Sequence, residues 1–111
     1  MSKWISERAV ITDEVQPSEI VPIGWDFAED LATGEAVTAA DVTITDRAGA
    51  DKTSTVMKGS ASIQDGEKTN SKVVVVLHTM TDGELYHVTI LATVTADKKP
   101  EADLYVPVKD R

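Results

Sequence analysis

Two histidines, His78 and His87, are the side chains best suited to proton transfer or metal binding near neutral pH. Two imidazoles alone are too few ligands for zinc, and the 111 residues contain no cysteine to complete a set. The absence of thiols also excludes a disulfide framework and a cysteine nucleophile. Carboxylates are plentiful, but Asp13-Glu14, Glu29-Asp30 and Asp82-x-Glu84 all fall in polar segments that read as loops. A general acid needs a pocket that perturbs its pKa, and a solvated loop carboxylate has none. Asp46 to Asp51 (DRAGAD) lacks the alternating oxygen ligands of a dedicated calcium loop. Ser54, Ser60, Ser62 and Ser71 sit beside turns without a Gly-x-Ser-x-Gly context. No glycine cluster forms a phosphate loop. The chain therefore reads as not an enzyme, with no catalytic residue, no metal ligand and no cofactor.

Charge narrows the partners. The formal net charge is -8, which repels phosphate backbones and anionic lipid, so no nucleic acid and no membrane partner is expected. Lys98-Lys99 is the single adjacent basic pair and lies in a turn. No apolar run approaches a membrane span. Met1 to Ile5 shows no apolar signal region, so synthesis and folding in the cytoplasm are expected.

The elements that would position these residues are strands. Aromatics are only 5% of the chain, so a core must be built mainly from Val, Ile, Leu and Ala. Ile20 to Phe27 alternates, with Val21, Ile23, Trp25 and Phe27 on one face. Pro22 puts this strand at a sheet edge or bulge. Asp41 to Thr45 is a strand with Val42 and Ile44 inward. Lys72 to His78 is settled as a strand by four consecutive valines. Tyr86 to Thr95 places Tyr86, Val88, Ile90, Ala92 and Val94 on one face. Ala102 to Val108 turns Ala102, Leu104, Val106 and Val108 inward, and Pro107 marks an edge or the strand's end. Ala28 to Ala40 reads as a loop with one helical turn around Glu29 to Ala32. Ser54 to Ile63 reads as one or two weak strands broken at Gly59, and Asp13 to Ser18 as a connection. With Ser6 to Thr12 as a first strand or an arm, the count is about seven short strands. That pattern predicts an all-β, immunoglobulin-like antiparallel β-sandwich. Residues 1–18 are the N-terminal arm or first strand, and residues 19–111 the sandwich domain.

Thr81 to Tyr86 (TDGELY) admits two structures. Asp82-Gly83 suits a two-residue hairpin that would set Leu77 against Val88 and His78 against His87. The alternative is an arched corner between two sheets, with the Tyr86 hydroxyl bonded back to the loop backbone. The strand count favours the corner.

A contact surface is the remaining candidate site. If Val73, Val75 and Leu77 face inward, Val74 and Val76 face outward, and with Leu91 they would form a small apolar patch. Trp4 has no periodic partners and either tucks back or docks on a neighbour. Trp25 belongs with the core.

The order Asp13-Glu14-Val15, Trp25-Asp26-Phe27, Leu31-Ala32-Thr33-Gly34-Glu35, Val42-Thr43-Ile44, Gly83-Glu84-Leu85-Tyr86-His87-Val88-Thr89 and Leu104-Tyr105-Val106-Pro107-Val108 resembles small immunoglobulin-like proteins of tailed-phage and prophage structural gene clusters, from the head or head-to-tail region. The resemblance spans nearly the whole chain. It implies a non-enzymatic virion structural or assembly protein that contacts other virion proteins or copies of itself, made in the bacterial host cytoplasm. A surface adhesion or carbohydrate-binding module is the alternative.

Overall fold

The ten-residue strand Leu85–Val94 organises the larger sheet. Every second side chain from Tyr86 to Val94 is buried and the intervening ones are half-exposed, as a period of two requires. A computed structural model describes residues 9–12, 14–95 and 98–110. Its strands are β1 (Ala9–Ile11), β2 (Val21–Asp26), β3 (Val37–Thr45), β4 (Ser62–Gln64), β5 (Lys72–Leu77), β6 (Leu85–Val94) and β7 (Glu101–Pro107). A 3-10 turn covers Ala28–Asp30, and one short helix, α1, covers Thr53–Val56.

The fold is all-β, with two antiparallel three-stranded arrays and almost no helix. One array is β7-β6-β3, to which β1 adds in parallel alongside Asp103 to Tyr105. The other is β2-β5-β4. Both feed one apolar core. Val73, Val75 and Leu77 from β5 join Tyr86, Val88 and Ile90 from β6 and Leu104 and Val106 from β7, with Phe27 and Ile44 fully buried among them. Burying each of these side chains stabilises the fold by about 1.5–3 kcal/mol before the cost of ordering it.

The connection before β6 is a corner. The Thr81 N–H donates to the Tyr86 hydroxyl at 3.0 Å. Gly83, at φ 84°, donates its N–H to Val108 O at 2.9 Å, so the Asp-Gly turn is tied to the end of β7 and not to β5. Leu77 pairs with Val21, whereas Val88 pairs with Ile44 and Leu104, and the hairpin register is absent.

Three segments differ from the sequence reading. β3 begins at Val37, inside the stretch read as a loop. A register shift between Val37 and Ala39 breaks its alternation, while Val37 is buried against β6 and bonded to Asn70 O at 2.9 Å. Thr53–Val56 is helical where a weak strand was expected. The Asp51 carboxylate accepts from the Thr53 N–H at 2.9 Å and its hydroxyl at 2.7 Å, which starts the turn, and Val56 is then buried. Val15 is no mere connection: its N–H donates to Pro107 O at 3.0 Å, its carbonyl accepts from Lys109, and its side chain joins the core.

Removing the corner hydroxyl tests this connection. Tyr86→Phe is expected to lower the stability of the intact chain by about 1 kcal/mol, read by urea denaturation, because the Thr81 amide loses its partner. An unchanged midpoint would show that the hydrogen bond contributes nothing.

Candidate functional surfaces

The corner decides where the candidate contact residues lie. β5 and β6 belong to different sheets, so Val74 and Val76 do not adjoin Leu91. The single patch expected from sequence is thereby corrected: the two valines and Leu91 lie on separate sheets. Trp4 lies outside the described residues.

On the outer face of β2-β5-β4, Val74 pairs with Gly24 and Ser62, and Val76 pairs with Pro22. Both valines are half-buried; Pro22 and Gly24 are exposed. The result is a shallow recess of about 510 Å³ lined by Pro22, Gly24, Asp26, Lys72 and Val74. Glycine at position 24 is a packing requirement, since a Cβ there would strike the Val73 carbonyl oxygen. On the core side of β2, Val21, Ile23 and Trp25 are half-buried. They face Val15 and Leu104 across a crevice of about 390 Å³.

A polar clasp holds the end of β2. Asp26 accepts from the Ala28 N–H at 3.0 Å and the Glu67 N–H at 2.8 Å. Burial works to raise the Asp26 pKa, but hydrogen bonds from Ser71, Glu67 and Ala28, with the charge of Lys72, hold it below the usual carboxylate value. The hydroxyl of Ser71, which is fully buried, accepts from the Lys68 N–H at 3.3 Å. A Cβ on Gly66 would collide with the Asp26 carboxylate, so only glycine lets the loop close on it.

The outer face of the larger sheet carries a polar network unnoticed in the sequence. His87 Nε2 lies 2.7 Å from Asp103 Oδ1, and the Thr89 hydroxyl donates to the same oxygen at 3.2 Å. The His87 ring stacks on Tyr105 at 4.5 Å and 14°. Asp103 is only 5% exposed. Two positions along β7, Glu101 has a raised pKa, from burial first, then from the charge of Asp103 and a hydrogen bond to it, with His87 opposing. Leu91 is half-buried on this face, opposite Asp41 and Glu101. The signal was available in principle, because Glu101 and Asp103 are two apart in a strand and share a face. What placed His87 and Thr89 across from them was the β6–β7 register.

Among the described residues no group of three or more His, Asp or Glu is placed to hold a metal. In the DRAGAD loop, Asp46 accepts from the Ala48 and Ala50 N–H groups at 3.0 and 2.9 Å, using its carboxylate to close a turn. His78 sits at the end of β5, away from His87.

A protein-family model described as podophage GP4 fiber-tail adaptor protein gp77 matches residues 16–107. The chain belongs to this family. It is thus a phage structural protein, a virion component that contacts other virion proteins. No curated protein matches the chain. The matched segment begins just after Val15 and ends with β7, so it includes both candidate surfaces.

Asp26 and Glu101 have pKa values shifted in opposite directions and predict opposite pH behaviour. The folded pKa of Asp26 is lowered, so its contribution is present above the unfolded value and lost as pH falls through the folded value. Asp26→Ala should cost about 1–3 kcal/mol at pH 7 and much less near pH 2. The folded pKa of Glu101 is raised, so its contribution is present below the unfolded value and lost as pH rises through the folded one. Glu101→Gln should therefore raise stability at pH 7 and leave it nearly unchanged at pH 4. Chemical denaturation across that range checks both signs.

Proposed function

We propose that this chain is a non-enzymatic adaptor that bridges two neighbouring virion proteins through opposite faces of an immunoglobulin-like sandwich. The family match over residues 16–107 carries this reading. The strand orders β1-β7-β6-β3 and β2-β5-β4, the shared core and the tyrosine corner support the immunoglobulin-like topology. Residues 19–111 are assigned to the sandwich domain and residues 1–18 to an N-terminal arm or first strand.

Val74 and Val76, extended by Pro22, form one contact surface; Leu91 forms the other. Each is a small apolar spot with polar neighbours, the composition of an interface centre inside a wetter rim. Trp4 adds an aromatic anchor from the N-terminal arm. The neighbours are other virion proteins or further copies of the chain, in the head-to-tail region of the particle. The chain is made in the host cytoplasm, and neither nucleic acid nor membrane is a partner. An adhesion or carbohydrate-binding module would present loop aromatics, whereas Trp25 and Tyr105 lie half-buried on strands. That reading ranks behind an adaptor role.

Particles assembled without this chain provide the test. Val74→Lys with Val76→Lys, and separately Leu91→Lys, should each weaken incorporation about tenfold or more, equivalent to about 1.4 kcal/mol. Cross-linking should lose a different neighbour in each case while thermal melting stays near wild type. Wild-type incorporation by both variants would overturn the assignment of these surfaces.

A further inference from the structure

We propose that the edge of β2, unpaired among the described residues, receives an added strand from a different virion protein, one whose side chains alternate apolar and exposed and whose net charge is positive. This rests on the adaptor reading and names the contact through which it would work.

The backbone geometry comes first. The Phe27 N–H donates to Ser71 O at 2.8 Å, in register with the β2–β5 ladder. Antiparallel alternation then turns the backbone groups of Val21, Ile23 and Trp25 towards β5 and those of Pro22 and Gly24 towards the open side. Pro22 has no N–H to leave unpaired there, which is where a strand proline belongs. Gly24 is exposed and presents both its N–H and its C=O to that side.

The other edges are less suitable. β1 and β4 are only three residues long. β3 is covered at its end, where Lys52 donates to Ile44 O at 2.7 Å and Thr53 Oγ1 accepts from the Ile44 N–H at 2.8 Å, and it is kinked at Val37. β2 has six residues without a register shift, and the 390 Å³ crevice lies along its inner side. A strand laid on this edge would place alternate side chains over that crevice, beside Ile23 and Trp25 and opposite Val15 and Leu104. Its other side chains would extend the Pro22–Val76 face. Backbone bonds then supply affinity and the crevice supplies specificity.

Charge selects the occupant. A second copy would bring together two bodies each carrying a formal -8. It would also oppose one proline-containing edge with another. Exposed Glu14 precedes Val15 and exposed Glu19 lies two residues before Val21, and both of those valines line the crevice. Lys72 is the one cation paired across from this strand. A basic strand fits; an acidic one is repelled.

The experiment uses the intact chain with particles assembled without it, and residue-resolved amide exchange. On binding, the Gly24 amide should slow by at least tenfold, while the Ile23 and Trp25 amides, already bonded to β5, change little. Pro22→Lys, at an exposed position, should weaken binding at least tenfold, and Pro22→Glu should bind as tightly as wild type or more tightly. Ile23→Lys should also weaken binding, with circular dichroism as the folding control. Raising salt from 50 to 500 mM should weaken wild-type binding at least tenfold. Retained binding with an unprotected Gly24 amide and a silent Pro22→Lys would overturn the added strand while leaving the adaptor reading intact. Failure of the wild-type chain to bind particles at all would overturn that reading itself. Concentration-dependent self-association abolished by Ile23→Lys would assign the edge to a second copy and overturn the proposed partner.

Discussion

The chain must cross from one sheet to the other between Leu77 and Leu85, and the rest of the architecture follows from that crossing. A Thr81 amide bonded to the Tyr86 hydroxyl and a Gly83 amide bonded to Val108 hold the crossing in place. Once it is made, β5 can pair only with β2 and β4, and β6 only with β3 and β7. The apolar faces of β5 and β6 then confront each other across the core instead of lying side by side. Tyr86 serves both sides of this constraint: its ring is buried in the core and its hydroxyl satisfies the loop.

Splitting the two strands between sheets also splits the outward side chains. Val74 and Val76 face one way and Leu91 the other. Under the proposed bridging role, contact residues on separate sheets would let two neighbours hold the protein at once, which a single patch could not do. That is how the proposed role would fit a member of a fiber-tail adaptor family. The polar network of His87, Thr89, Asp103 and Glu101 has a different part. It satisfies a nearly buried carboxylate on the face that carries Leu91, and it stiffens that face by joining β6 to β7.

Small residues mark the places where the fold admits a close approach. Gly66 lets the loop after β4 close on Asp26, and Gly24 lets β2 lie against β5.

Strand faces with an unbroken period of two were legible from residue types alone. Tyr86 to Val94, Ala102 to Val108 and the valines of β5 declared their buried sides because alternation is a local property of the chain. Other features depended on partners distant in sequence. The start of β3 was hidden because a bulge resets its period, and α1 was hidden because a four-residue turn is decided by Asp51 and the burial of Val56. The Asp103 network needed a register between two strands before its members could be seen to touch. The sequence determined which side of each strand is apolar; only the tertiary structure decided which sheet each strand joins, since the free energy of pairing and packing belongs to contacts between segments and to neither segment alone.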